Sequence, residues 1–126
     1  MTAAPPCILV VDDNEALREN LVECLEGEGY CVRASSDGAH ALAALGEEPI
    51  PSVVLLDLLM PGLSAREVVE RIRADPCLAG VRVILTTGHP SASARAGVAA
   101  DAFLPKPFGV KELLDALAKV GVPAMV

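Results

Sequence analysis

Four short apolar runs, each closed by a polar residue, constrain this chain more than any other feature. Cys7-Ile8-Leu9-Val10-Val11 ends on the acidic pair Asp12-Asp13, and Val53-Val54-Leu55-Leu56 ends on Asp57. Val81-Arg82-Val83-Ile84-Leu85 ends on Thr86, and Ala102-Phe103-Leu104-Pro105 leads into Lys106. Short apolar runs with helical patterns between them read as strands of a parallel sheet. In open sheets of that kind, ligands sit just beyond the carboxyl ends of the strands. Four strands would then deliver acid, acid, hydroxyl and ammonium to one end of one sheet.

The intervening segments fit that reading. After a short tail, Met1 to Pro6, and the first strand, Leu17, Leu21, Cys24 and Leu25 share one face of a helix that stops at Gly27 or Gly29. Tyr30 to Ala34 alternates as a second strand. Ser36 or Asp37 can cap the next helix, which turns Ala41, Leu42 and Leu45 inward before Gly46 and Pro49 end it. The uniformly apolar Val53 to Leu56 is a central strand. Met60-Pro61-Gly62 turns the chain, and Ser64 with Glu67 forms a capping box for a helix carrying Val68, Val69 and Ile72. Asp75-Pro76 stops that helix, and a fourth strand runs from about Val81 to Thr86. Ser91 to Gly97 allows only about two turns of alanine-rich helix. Ala102 to Leu104 is the fifth strand, and Val110 to Val120 the last helix, with Leu113, Leu114 and Leu117 inward. Five strands alternating with five helices predict a single α/β domain over residues 1–126, doubly wound.

Composition narrows the function. Aromatic residues make up 2% of the chain, so the core must be aliphatic. A net charge of −7 with scattered basic residues argues against a nucleic-acid surface. Arg66, Arg71 and Arg73, interspersed with Glu67 and Glu70, read as a solvated helix face. Cys7, Cys24, Cys31 and Cys77 have no CxxC spacing, so a zinc or redox motif is not indicated, and they read as small hydrophobes. No secretory signal or bilayer-length apolar stretch is visible, and a cytoplasmic location is expected.

Each polar residue has an ordinary explanation when taken singly. Asp13 or Asn14 could cap the first helix, Thr86 could simply end a strand, and Lys106 could be surface charge. Asp57 resists such a reading, because only aliphatic residues precede it and no helix begins for several residues. Carboxylates about 4 Å apart repel by about 4 kcal/mol at an effective dielectric of ~20. A hard divalent cation such as Mg²⁺ is the usual offset, and Lys106 supplies further positive charge. Asp57 then becomes a candidate nucleophile for a phosphoryl group, whose oxygens the cation, ammonium and hydroxyl would neutralise.

The set Asp12-Asp13, Asp57 with Met60-Pro61-Gly62, Thr86, and Phe103-Leu104-Pro105-Lys106-Pro107-Phe108 resembles the receiver domain of two-component response regulators, from Cys7 to Val120. The resemblance implies a flavodoxin-like five-stranded parallel sheet of order 2-1-3-4-5. It implies Asp57 as phosphoacceptor and Asp12, Asp13, Asp57 and the backbone carbonyl of Leu59 as Mg²⁺ ligands. Lys106 would contact phosphoryl oxygens, Thr86 and Phe103 would form the switch, and Lys106-Pro107 would be cis. The implied partner is a histidine kinase or phosphotransfer protein in a bacterial phosphorelay, and the chain would be a switch rather than an enzyme proper. No output domain is visible, which leaves a stand-alone regulator and an excised domain both open.

Departures from the family pattern include Thr87 for a usual alanine, Ala65 for a common glycine, and a shorter span between Thr86 and Lys106. His89 is a loop residue near Thr86, and His40 a helical one without an evident partner. A dehalogenase-type phosphotransferase would need a second aspartate where Leu59 stands. A flavin module would want a polar, uncharged loop in place of Asp12-Asp13-Asn14, and no P-loop motif occurs. The alternative that remains is a degenerate receiver acting as a phosphorylation-independent interaction module.

Overall fold

The aliphatic runs pair into one parallel sheet. In this computed structural model, which describes residues 6–58, 60, 62–88 and 98–123, the strands are β1 (Cys7–Val11), β2 (Cys31–Ser35), β3 (Val53–Asp57), β4 (Arg82–Thr87) and β5 (Ala102–Pro105). Their order across the sheet is β2-β1-β3-β4-β5, and every neighbouring pair is parallel. Four α-helices stand among the described residues: α1 (Glu15–Gly27), α2 (Gly38–Leu45), α3 (Ala65–Ala74) and α4 (Val110–Lys119). The weak helix expected over 91–97 lies outside the described residues.

Strand alternation divides the core into two layers. Leu9, Val11, Val54, Leu56, Val83 and Leu85 pack with Ala41, Leu45, Val68, Val69 and Ile72 of α2 and α3. Ile8, Val10, Val53, Leu55, Ile84 and Leu104 pack with Leu21, Leu25, Leu113 and Leu117 of α1 and α4. Every residue of β1 and β3 is buried, as strands covered on both faces require. The one tyrosine, Tyr30, is buried, and its hydroxyl donates to the Val122 carbonyl at 2.7 Å.

Local signals account for most element ends. Asn14 is the cap of α1, its side chain accepting from Leu17 N–H, so the helix does not need the carboxylate of Asp13. Ser64 and Glu67 form the capping box of α3, and Asp37 caps α2. Gly29 takes φ +95° after α1, a left-handed value that glycine reaches without steric cost.

Several details differ from the sequence expectation. The strands β2 and β4 begin and end one residue later, and β5 extends to Pro105. A 3₁₀ turn at Pro76–Leu78 follows α3, held by the Asp75 side chain accepting from Cys77 N–H. Arg73 is not a solvated helix charge: it donates to the Val81 carbonyl at 2.8 Å and to Asp101 Oδ2 at 2.7 Å. Arg66 and Glu70, 3.6 Å apart and both exposed, do behave as a solvated pair. The Lys106-Pro107 bond is cis, as is Glu48-Pro49.

Candidate functional site

The pleat explains why the polar residues meet. Asp57 continues the parity of Val53 and Leu55, Thr86 that of Ile84, and Lys106 that of Leu104, all on the face covered by α1 and α4. Asp57 and Thr86 are directly paired in the β3–β4 register. Asp12 follows β1 with the parity of Ile8 and Val10. One pleat therefore directs four side chains from four strands towards the same side of the same edge.

The resulting cluster is tight, and its carboxylates, except that of Asp13, are buried. Asp12, Asp57 and Thr86 are 2%, 6% and 3% exposed, while Asp13 is exposed. Carboxylate oxygens of Asp12, Asp13 and Asp57 lie within 4.8 Å of one another. Lys106 Nζ stands 3.2 Å from Asp12 Oδ2 and 3.5 Å from Asp57 Oδ2. Two carboxylates 4.8 Å apart repel by roughly 3.5 kcal/mol at an effective dielectric of ~20, and the ammonium between Asp12 and Asp57 offsets part of that. Three hard oxygen donors so close together are the chemistry of a Mg²⁺ or Ca²⁺ site. The set thus fits the divalent cation that the resemblance implies.

Main-chain contacts hold the cluster in place, and these were not foreseen. The Asp12 amide donates to the Ser35 carbonyl at 3.2 Å, and Asp12 Oδ1 accepts from Asn14 N–H at 2.8 Å. Arg18 Nη1, from α1, donates to the Asp12 carbonyl at 2.8 Å. The Leu58 amide donates to the Thr86 carbonyl at 2.9 Å, and the Lys106 amide to the Thr87 carbonyl at 2.6 Å. Asp12 is thereby fixed from the helix, the neighbouring strand and the lysine at once. No side-chain pattern in the sequence marks Arg18 or Ser35 for this role.

The remaining candidates fall in different places. Phe103 pairs with Leu85, takes the opposite parity from Thr86, and is 46% exposed on the edge strand. Thr87 is buried and shares the parity of Val83 and Leu85, so the pleat assigns it to the other face from Thr86. His40 is exposed and bonds Asp37 through Nδ1 at 2.8 Å, as part of the start of α2. Leu59 and His89 lie outside the described residues. A cleft of about 460 Å³, lined by Leu17, Gly88, Lys106, Pro107 and Phe108, adjoins the cluster at Lys106.

Comparison with known proteins converges on one family. The family described as "Response regulator receiver domain" matches residues 8–118. Response regulator MprA of Mycolicibacterium vanbaalenii is 40% identical over 113 residues, covering 87% of this chain and 48% of that protein. MprA of Mycobacterium ulcerans is 39% identical over 110 residues, covering 85% and 46%. The chain thus spans about half the length of the curated relatives it matches. Among solved structures, chemotaxis protein CheY4 of Vibrio cholerae superposes with a TM-score of 0.84 at 28% identity, covering 93% of this chain and 99% of that one. Response regulator TrrA of Thermotoga maritima, in complex with Mg²⁺-BeF, gives 0.78 at 34% identity, covering 91% and 98%. These neighbours share the five-stranded fold described above.

Proposed function

The chain belongs to the response regulator receiver domain family, and on that premise we propose that it is a phosphorylation switch whose phosphoacceptor is Asp57. The observation that carries this reading is the convergence of three carboxylates with Lys106 at the carboxyl edge of the sheet. The donor would be a phosphohistidine of a histidine kinase or phosphotransfer protein in a cytoplasmic phosphorelay. An oxygen of Asp57 attacks phosphorus, the phosphorus–nitrogen bond breaks, and the imidazole leaves. The ammonium of Lys106, already within 3.5 Å of Asp57 Oδ2, neutralises charge on the transferring oxygens. Asp12, Asp13, Asp57 and the Leu59 carbonyl would hold Mg²⁺, which when bound supplies the remaining charge neutralisation.

The switch itself uses two further residues. Thr86, buried and paired in register with Asp57, can offer its hydroxyl to the new phosphoryl oxygens. Phe103, exposed on β5, is the residue whose change of rotamer would report that movement to a partner. Phosphorylation then shifts a conformational equilibrium rather than creating a new fold. Receiver domains work as signalling switches, and the only chemistry asked of this one is self-phosphorylation and slow loss of the phosphate.

The test is phosphorylation by acetyl phosphate with Mg²⁺, read by intact mass. Wild type should gain one phosphoryl group, and lose that ability when Mg²⁺ is chelated. Asp57→Asn should gain none, because an amide is a poor nucleophile. Labelling that survives both chelation and Asp57→Asn would favour a degenerate module with adventitious reactivity over a phosphoacceptor.

A further inference from the structure

The opposite end of the sheet brings together two of the four cysteines. Cys7 opens β1 and Cys31 opens β2, and the parallel register pairs them directly. Cys31 and the Arg33 side chain both stand near enough to the Cys7 thiol to act on its ionisation. Cys7 is buried and Cys31 half-buried, so Cys31 is the more accessible of the two. Cys24 lies on α1 and Cys77 in the exposed 3₁₀ turn. Neither is placed in a strand register with another thiol. The spacing in sequence conceals this pair, because residues 7 and 31 are joined only by the β1–β2 ladder.

We propose that Cys7 and Cys31 are a thiol modification site that forms a reversible disulfide between β1 and β2 in response to a peroxide. Cys31, as its thiolate, attacks one peroxide oxygen; the oxygen–oxygen bond breaks, and Cys31 becomes a sulfenic acid. The released hydroxide takes up the proton that Cys31 lost. The Cys7 sulfur then attacks the Cys31 sulfur, the sulfur–sulfur bond forms, and the sulfur–oxygen bond breaks. Hydroxide leaves and takes up the Cys7 proton. In sum, two thiols and one hydrogen peroxide give one disulfide and two waters.

The order of events follows from the surroundings. Burial and the neighbouring Cys31 push the Cys7 thiol above its ordinary range, with Arg33 acting against them. Cys7 is therefore slow to react with an oxidant, and Cys31, the more exposed of the two, meets it first. Neighbouring strands lie about 4.8 Å apart, whereas a disulfide draws its Cβ atoms to roughly 3.8 Å. The bond must pull β2 inwards, which an edge strand paired on one side only can accommodate. A disulfide formed against the natural spacing of its ladder is readily reduced, as a regulatory bond must be.

Peptide mapping decides the matter. The full chain is reduced, exposed to a small excess of hydrogen peroxide, and alkylated under denaturing conditions. The expected product has two thiols protected from alkylation, a Cys7–Cys31 linked peptide, and full recovery of both thiols with dithiothreitol. In Cys31→Ser the linked peptide should vanish and Cys7 should remain alkylatable, with circular dichroism confirming the fold. Wild type alone suffices if that variant does not fold. Over-oxidation of Cys31 without a link, or a link made only through Cys24 or Cys77, would overturn the proposal.

Discussion

Asp13 shows what the site asks of a single residue. Asn14 already caps α1, so the carboxylate of Asp13 adds nothing to the helix start that the cap does not provide. It stands instead within 4.8 Å of two further carboxylates, and the Lys106 ammonium contacts only the other two. Without a cation, the repulsion among these carboxylates should make Asp13 destabilising. Asp13→Asn should therefore raise metal-free stability by about 1 kcal/mol in urea unfolding, and it should weaken Mg²⁺ binding. Millimolar Mg²⁺ should stabilise wild type more than the variant, since only ligand affinity for the folded state adds stability. Unchanged stability together with unchanged Mg²⁺ affinity would make Asp13 an ordinary surface residue. The acids and the lysine were readable in the sequence because each interrupts or follows an aliphatic run. Arg18 and Ser35 were not, because they act on main-chain atoms of Asp12, and such bonds leave no trace in side-chain pattern.

At the scale of elements, the junction of α3 with β4 and β5 depends on a charge pattern that misleads when read along the chain. Arg73 looks like one of several helix charges, but its partner Asp101 is 28 residues away. Asp101 also accepts from Val83 N–H at 2.7 Å and stands 3.8 Å from Arg82 Nη1. Burial pushes its carboxyl up, but the Val83 amide and the two guanidinium groups outweigh burial and hold it below the usual carboxylate range. A group depressed in the folded state contributes stability above its unfolded pKa of about 3.9 and loses it as pH falls through the lower folded value. Wild type should thus lose more stability than Asp101→Asn between about pH 5 and about pH 3. At neutral pH, Asp101→Asn should cost about 1–2 kcal/mol, as a charge-assisted bond is exchanged for a weaker one. Parallel acid titrations of the two proteins would show that Asp101 is not part of the junction. The caps, by contrast, were readable locally: Ser64 and Glu67 announce α3 three residues apart. The 3₁₀ turn after Asp75 escaped because it is too short to show a period.

For the whole molecule, topology and function are one statement. A parallel sheet of order β2-β1-β3-β4-β5 puts the carboxyl ends of β1, β3, β4 and β5 on one edge. The uniform aliphatic runs made that sheet visible before any contact was known. What the runs could not show is depth: Asp12 and Asp57 are buried almost as completely as the core beneath them, which strengthens every charge interaction there. The central claim is that this buried edge exists to place a phosphoryl group on Asp57. Site mapping tests it most directly, since substitution of Asp57 would also remove a proposed cation ligand. The protein is phosphorylated with acetyl phosphate and Mg²⁺, the acyl phosphate is reduced with borohydride to homoserine, and tandem mass spectrometry locates the change. The account predicts homoserine at position 57 alone. Homoserine at position 12 or 13, or at none of the three, would contradict it.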